Sequence, residues 1–279
     1  SNVEKIKYKP SIDLLTTLYY QGKIHKDAYS SLLILQSNED QYNNLIGRGV
    51  NLRWNDASGI KANTGSFKYF KRLFAREGDH VVEKINKNNI ALNIMTQFLL
   101  PYSAPLFEVF GKRLKIIEVV RHPLYLVNTF VSFISRIDGP RINDLVYDFQ
   151  GHKIPWYLTN DVESFVSFDD YNKAILLIIE LYKKMFSFMD NNSFDNQILY
   201  VTFEEMALNT DSTLSILSNF LERDYSSNLN SILRKAKLPR KILLDGISFG
   251  DYGYKRSTHD DEEAQYMEML EAVNKNALE

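Results

Sequence analysis

The chain has 279 residues, of which 44% are hydrophobic and 13% aromatic, and its 33 basic and 35 acidic residues give a net charge of −2. This length can bury a sizeable core, and we expect residues 1–279 to form a single domain. With this balanced charge, nothing in the overall composition indicates binding to nucleic acid or to an anionic membrane, so any anion site must be a local cluster. The lack of cysteine excludes disulfides, thiolate catalysis and cysteine metal sites. The five histidines show no metal-binding spacing, and no metal is expected.

Two further classes of segment are not found in the sequence. No apolar stretch reaches the ~18–20 residues that a membrane helix needs. The first residues do not have the apolar centre of a signal peptide. We therefore expect a protein with no membrane span and a cytoplasmic location.

The first hundred residues predict mainly helices and loops. Apolar periodicity predicts helices within residues 1–50, and glycine and asparagine predict a loop over residues 47–65. A short amphipathic stretch follows at residues 67–74. Residues 81–85 predict a short strand, and residues 90–100 predict a helix.

The clearest pattern of the chain lies between residues 115 and 134. Residues 116–120 are almost all apolar and β-branched, which is typical of a strand covered on both faces. Pro123 prevents simple continuation of the strand because it has no N–H. Helical spacing then begins at Leu124. The pattern therefore predicts a strand, a turn that carries Arg121, and a helix.

The second half of the chain continues this alternation, with four more segments and a charged tail. The four segments are an irregular loop at 137–160, one long helix at 165–189, a buried strand at 197–203 and a helix at 212–221. The tail, from residue 237, has a basic cluster, a glycine-spaced loop and an acidic helix at 260–273. Strands that alternate with helices predict an α/β fold with a parallel sheet.

Arg121 is the first candidate functional residue. Ligands of open α/β sheets bind at the carboxyl ends of the strands, where this arginine is predicted to lie. A guanidinium group is a permanent bidentate donor that suits phosphate or sulfate. The Thr129 hydroxyl and the N-terminus of the helix could contact the same anion. The alternative is that Arg121 is a surface or structural arginine and Thr129 bonds its own backbone.

The segment RHPLYLVNT, Arg121–Thr129, resembles the 3′-phosphate-binding element of sulfotransferases that use 3′-phosphoadenosine 5′-phosphosulfate (PAPS). That element has an apolar strand, Arg-x-Pro, and a serine eight positions after the arginine. Thr129 replaces the serine and keeps its hydroxyl. The resemblance implies a P-loop-NTPase-like parallel sheet flanked by helices, here with extra helical segments.

Two more segments resemble this family, in particular its bacterial and Golgi-type members, in the same order along the chain. Residues 81–89 resemble an (Asp/Glu)-Lys-x-x-x-Asn segment that precedes the Arg-x-Pro strand, with Glu83, Lys84 and Asn88 at the matching positions. Residues 198–222 resemble a strand that ends in (Tyr/Phe)-Glu-(Asp/Glu)-Leu and is followed by a helix. Met206 stands where that leucine is usual.

The resemblance implies catalytic roles for residues near Lys84. Placed at a strand end, Lys84 would stabilise the charge that builds on the transferring sulfuryl group. The general base must reach the acceptor hydroxyl, and Glu83, His80 and His122 are all suitable by residue type. The alternative is that Lys84 is a solvated lysine beside Glu83.

Three other residues are assigned through the resemblance. Family members bring a basic, glycine-containing loop near the C-terminus over the 3′-phosphate, and Lys255 and Arg256 match that loop. The alternative is a charged loop before an acidic helix. Glu204 is expected to organise loops near the cofactor.

One family element does not appear in the sequence. The family has a strand followed by a (Lys/Arg)-Ser-Gly-(Thr/Ser)-Thr loop that binds the 5′-phosphosulfate through backbone N–H groups. The first 80 residues contain no such strand, loop and helix. Three explanations stay open: a segment missing ahead of Ser1 or within the first hundred residues, a divergent loop, or loss of cofactor binding. The first is favoured because the other segments match.

These observations predict a PAPS-dependent sulfotransferase. It would transfer a sulfuryl group to a hydroxyl of a small-molecule or carbohydrate acceptor and release adenosine 3′,5′-bisphosphate. No nucleic-acid partner is expected, and the sequence leaves the acceptor and the oligomeric state open. The alternatives are a non-catalytic binding or scaffold protein on a decayed sulfotransferase fold, and a P-loop kinase-like phosphotransferase, which would need a Walker-type lysine loop and a magnesium-binding carboxylate.

Overall fold

The computed structural model describes residues 3–4, 7–53, 59, 66–97, 99–139, 145–191, 194, 196–226 and 228–240. The elements in chain order are β1 (Lys7–Tyr8), α1 (Pro10–Tyr20), α2 (Lys26–Leu45), α3 (Ser66–Arg72), α4 (Asp79–Asn88), β2 (Ile94–Met95), a 3-10 turn (Leu100–Tyr102), α5 (Ala104–Phe110), a second 3-10 turn (Gly111–Arg113), β3 (Ile116–Val120), α6 (Leu124–Ile134), β4 (Val146–Phe149), β5 (His152–Pro155), α7 (Val162–Ser167), α8 (Asp170–Asn191), β6 (Ile198–Thr202), α9 (Phe203–Leu208), α10 (Thr210–Leu221) and α11 (Leu229–Ala236).

The described residues divide into two compact units, and the chain passes between them within β3, between α8 and β6, within β6, within α10 and after Lys237. Unit 1 holds the described residues up to 116 together with 194–199 and 215–237. Unit 2 holds those of 117–191, 200–214 and 238–240.

Unit 1 is built on helices α1, α2, α4 and α5. The first of two buried apolar clusters joins α1, α2 and α5, and the second joins α4 to the end of α2. The members of the first are Ile12, Tyr29, Leu33, Leu99 and Leu106, and those of the second are Leu45, Ile46 and Val81. The parallel pair β1–β2 also lies in this unit.

A buried ion pair fixes helix α3 within unit 1. The Arg72 guanidinium donates from Nη1 to Glu4 Oε2 at 2.6 Å and from Nη2 to Glu4 Oε1 at 2.8 Å. Nη1 also donates to the backbone oxygen of Asn44 at 3.2 Å. Gly47 approaches the same region so closely that a Cβ there would lie 2.6 Å from the Arg72 backbone oxygen. Gly47 has φ +77°, so both its conformation and its surroundings require glycine.

Unit 2 is built around the packing of α6 on α8. The apolar side chains of α6 recur at helical spacing, and Val127, Phe130 and Ile134 are buried. On α8 the buried apolar residues are Ala174, Leu177, Ile178, Leu181, Met185 and Phe188. The two helices therefore bury their apolar faces against each other.

Strand β3 pairs with β6 to form a two-stranded sheet in the described part of the chain. Ile116 N donates to Gln197 O at 2.8 Å at the start of both strands. His122 N donates to Glu204 Oε1 at 3.0 Å beyond the end of both strands. The strands therefore run in the same direction, and the α/β class with a small parallel sheet flanked by helices is confirmed.

The predicted β3–turn–α6 pattern is found at its expected place, as is the strand near residue 200. However, Val119 is 58% exposed, so the prediction that β3 is covered on both faces is wrong. The helix predicted at 212–221 is α10.

The strand predicted at residues 81–85 is wrong, because these residues lie within helix α4. Val81 and Ile85 are four residues apart and pack together on the cluster of Leu45 and Ile46, while Val82 between them is 46% exposed. The helix ends where Asn89 adopts the left-handed conformation at φ 44°.

The helix predicted at residues 90–100 is also wrong. Residues 91–95 are extended and pair in parallel with the start of the chain, through Ala91 with Val3 and through β2 with β1. This pairing overrides the helical spacing of the apolar residues.

Two other predictions are corrected in unit 2. The irregular loop at 137–160 contains the antiparallel hairpin β4–β5, whose turn residues Gln150 and Gly151 both have positive φ (52° and 84°), as a type I′ turn needs. The long helix at 165–189 is broken into α7 and α8 at Phe168, which is extended. Asp169 Oδ1 then accepts from Asn172 N at 2.8 Å at the start of α8.

Candidate functional site

The turn between β3 and α6 is held from two other elements of unit 2. Tyr182 of α8 donates a hydrogen bond from its hydroxyl to the backbone oxygen of Arg121. Glu204, at the start of α9, accepts from the backbone N–H of His122. The turn is then completed by Tyr125 N donating to His122 O at 3.0 Å. The backbone that carries Arg121 is therefore held by both hydrogen bonds, and the expectation that Glu204 organises loops near a cofactor stays a prediction.

The Arg121 side chain lies between two aromatic rings. Its Cζ is 4.9 Å from the ring centroid of Phe203 and 5.5 Å from that of Tyr125. Its Nε is buried and has no hydrogen-bond partner in the described part of the chain. A buried donor without a partner costs free energy, and such a group is a natural contact for a ligand oxygen.

A second arginine, Arg240, lies near the Phe203 ring. The Cζ of Arg240 is 5.6 Å from the Phe203 centroid, and the Arg240 backbone N donates to Ala207 O of α9 at 2.6 Å. Among the described residues, neither Arg121 nor Arg240 forms an ion pair with a carboxylate. Two guanidinium groups therefore share one aromatic ring without an acidic partner, which favours an anionic ligand.

His122 adds a neutral group at this turn. Burial lowers the pKa of its imidazole, and the charge of Glu204 only partly offsets this effect. Its Nδ1 is buried and has no hydrogen-bond partner among the described residues. In a neutral imidazole, Nδ1 donates or accepts a hydrogen bond depending on the tautomer, so His122 keeps both options toward a ligand.

Glu118 of β3 is an acidic group that titrates near neutral pH. Burial raises the pKa of its carboxyl to about 7. The pKa of the Tyr182 phenol is also raised, mainly by burial and further by the charges of Glu204 and Glu118. The hydrogen bond to Arg121 O lowers this pKa but does not cancel the increase. A carboxyl group with a pKa of about 7 has the proton affinity of an effective general base.

The structure places Thr129 on the exposed side of α6. It lies one turn beyond Tyr125, and residues four apart on a helix share a face. Thr129 is therefore on the side of α6 that carries the ring next to Arg121, and its contact with a common anion stays a prediction.

The three predicted catalytic residues His80, Glu83 and Lys84 all lie on helix α4 of unit 1, and all three are exposed. The prediction that Lys84 stands at a strand end is wrong, because it lies in the middle of the helix, where its backbone oxygen accepts from Asn88 Nδ2 at 2.9 Å. His80 and Lys84 are four residues apart and share one face of α4. The predicted residues Lys255 and Arg256 lie outside the described residues.

The sequence did not indicate roles for Glu118 and Arg240. Glu118 was visible only as the one polar residue in an apolar strand, which is itself a signal for a buried charge. Arg240 belongs to the basic cluster after residue 237, but the sequence does not indicate which of its cations approaches Phe203.

The described residues contain neither a membrane-spanning helix nor a metal-binding cluster. No helix in this part of the chain is long and apolar enough to cross a bilayer. Within the same residues, no group of three or more histidine and acidic side chains is arranged to hold a metal ion.

Comparison of the chain with known protein families, with curated proteins and with solved structures finds no match.

Proposed function

We propose that the chain binds PAPS at the turn between β3 and α6 and transfers its sulfuryl group to a hydroxyl of a small-molecule or carbohydrate acceptor. The observation that carries the proposal is the Arg121 guanidinium, which follows a parallel strand, has no acidic partner among the described residues, and has a buried unpaired Nε. The family resemblance of Arg121–Thr129 supplies the identity of the ligand.

The proposed binding mode uses groups of unit 2. Arg121 would donate to the 3′-phosphate, and the positive end of the α6 dipole would favour the same anion. Arg240 would add a second positive charge beside Phe203. Arginine favours phosphate because its planar fork donates two parallel hydrogen bonds.

The proposed transfer is an in-line displacement at sulfur. The acceptor oxygen forms a bond to sulfur while the bond from sulfur to the 5′-phosphate oxygen breaks, and the hydroxyl proton passes to a base. The resemblance assigns Lys84 to the transferring group and Glu83 or His80 to proton transfer.

A binding protein without transferase activity is a second candidate. The observation that favours it is the exposed position of His80, Glu83 and Lys84 in the middle of a helix rather than at a strand end. Such a protein would bind adenosine 3′,5′-bisphosphate without transferring sulfate from PAPS to any acceptor.

Replacing Arg121 by alanine is expected to weaken binding of adenosine 3′,5′-bisphosphate about tenfold to a hundredfold. A hydrogen bond to a charged group contributes about 1.5–3 kcal/mol, which corresponds to such a factor. The affinity for adenosine 5′-monophosphate, which has no 3′-phosphate, should change little. Isothermal titration calorimetry with both nucleotides measures the difference.

The matched control is Arg136→Ala, because Arg136 is an exposed arginine of unit 2 that follows α6 and whose Nε donates to Ser132 O of that helix. Its affinity for the bisphosphate should equal that of the unaltered chain. Equal affinities of Arg121→Ala and the unaltered chain would contradict the proposed site. Stabilisation by ATP with Mg²⁺ instead of the bisphosphate would favour the kinase-like alternative.

Replacing Arg240 by alanine is expected to weaken binding of the same nucleotide by about three- to tenfold. The effect should be smaller than for Arg121 because Arg240 lies farther from the shared ring and contributes charge rather than a buried donor. Arg240→Lys should recover part of the affinity, and the loss should shrink at high salt. Titrations at two salt concentrations test both expectations.

A further inference from the structure

Helix α3 is held in one rotational orientation by its contacts. Arg72 is buried in the bidentate pair with Glu4, and their side chains are only 8% and 2% exposed. The Arg72 Cζ also lies 4.7 Å from the ring centroid of Tyr69 on the same helix. One side of α3 is therefore fixed inward, and its opposite side faces outward.

The outward side of α3 carries Phe67 and Phe70, and Phe74 lies in the turn after the helix. We call these three residues the α3 aromatic face. Phe67 is 69% exposed, Phe70 is 49% exposed and Phe74 is 76% exposed. Phe70 and Phe74 pack edge to face with their centroids 5.7 Å apart. Single exposed apolar side chains are common on proteins, whereas three neighbouring phenylalanines mark an interaction surface.

Positive charge surrounds these rings. Residues 66–76 include four cations and no acidic residue, although the chain as a whole has a net charge of −2. Glu4 pairs with Arg72 and also lies 3.9 Å from the Lys68 ammonium, whose side chain is 55% exposed, while Lys71 and Arg76 are exposed. The Lys71 ammonium lies 4.7 Å from the Phe67 ring centroid, so a cation and an aromatic ring are presented together.

We propose that the α3 aromatic face binds the surface of an anionic lipid bilayer. A helix that inserts aromatic rings at the acyl boundary and keeps lysine and arginine at the headgroups is the arrangement that interfacial binding needs. The charge is complementary to anionic headgroups. The rings project from a convex helix surface, and a bilayer accommodates such a shape without preformed pockets.

The test measures binding of the full chain to vesicles by flotation. Vesicles of phosphatidylcholine with an equal amount of phosphatidylserine should bind the chain, and vesicles of phosphatidylcholine alone should bind at least about tenfold more weakly. The double variant Phe67→Ser with Phe74→Ser should lose about a hundredfold in partitioning, because two exposed rings no longer insert. The double variant Lys71→Gln with Arg76→Gln should lose about tenfold and most of the salt dependence.

Phe168→Ser is the matched control, since Phe168 is 41% exposed and lies outside the α3 aromatic face. It should bind the mixed vesicles like the unaltered chain. Because the replaced residues are exposed, all variants should keep the circular dichroism spectrum of the unaltered chain, which shows that any loss of binding is local.

Three results would overturn the proposal. They are no binding of the unaltered chain to the mixed vesicles, equal binding of the unaltered chain and the double phenylalanine variant, and self-association that the phenylalanine variant abolishes without any binding to vesicles. The last result would identify the face as an interface between copies of this chain.

Discussion

Replacing Arg72 by methionine is expected to lower the free energy of unfolding by about 3–5 kcal/mol, because it leaves the buried Glu4 carboxylate without its bidentate partner and with only the Lys68 ammonium, 3.9 Å away, as a cation. The Glu4 side chain is 2% exposed, so water cannot replace the two lost hydrogen bonds. The backbone oxygen of Asn44 loses a donor as well. Urea unfolding followed by circular dichroism near pH 7 measures the loss.

The pH dependence of this loss identifies its cause. Burial by itself raises the pKa of Glu4, but the hydrogen bond and charge of Arg72, with a smaller effect of Lys68, give a net lowered pKa. A lowered pKa means that the pair stabilises the fold above the ordinary carboxyl value of 4.5, and that this contribution is lost as the pH falls. The cost of Arg72→Met should therefore be largest near neutral pH and smallest in acid.

Two controls separate the buried charge from lost packing. Arg48 forms an exposed ion pair with Glu77 at 2.6 Å, and Arg48→Met should cost less than about 1 kcal/mol because surface pairs contribute little. The double variant Glu4→Leu with Arg72→Met should be more stable than Arg72→Met alone, since it removes both charges. A double variant as unstable as the single one would show that the loss is due to packing.

Replacing Glu118 by glutamine is expected to stabilise the fold above neutral pH by up to about 3 kcal/mol. Burial raises the pKa of this carboxyl from 4.5 to about 7, and each unit of difference corresponds to about 1.4 kcal/mol. In the folded state the proton is retained until about pH 7, whereas the unfolded chain releases it near 4.5. Stability from this group is therefore present in acid and is lost as the pH rises between these two values.

Glu118→Gln should show no difference from the unaltered chain below about pH 4.5 and its full gain above about pH 7. Glu163, an exposed glutamate of α7, is the matched control, and Glu163→Gln should leave the pH profile unchanged. Urea titrations across this range measure both variants. A gain for Glu118→Gln that does not depend on pH would mean that the amide improves packing and that the carboxyl is not perturbed.

The parts of the fold that the sequence predicted correctly depend on local patterns. The β-branched run of Ile116–Val120, the barrier at Pro123 and the helical spacing after Leu124 lie within a few residues of one another. The strand at residues 81–85 was mispredicted because the apolar residues Val81 and Ile85, four positions apart, share one face in a strand and in a helix alike. The contacts with Leu45 and Ile46, which are distant in sequence, decide that this segment is a helix.

Sequence predicts a residue of the candidate site only where that residue stands in a recognisable local pattern. Arg121 was found because the turn after a parallel strand is recognisable in sequence. Arg240 could not be found because its position beside Phe203 depends on the hydrogen bond from its backbone N to Ala207 O, which is distant in sequence. The near-neutral pKa of Glu118 depends on burial, which the alternation of apolar residues in β3 only suggests.

The hydrogen bond from His122 to Glu204 also constrains how the chain assembles. It joins residues 82 positions apart, whereas the β4–β5 hairpin and the helices form through contacts of short sequence separation. Contacts that close long loops form slowly, since the entropy of closure must be offset before they contribute. During synthesis, the Arg121 turn cannot be locked until β6 and α9 have left the ribosome. The arrangement that we propose for anion binding at this turn is therefore completed late in folding.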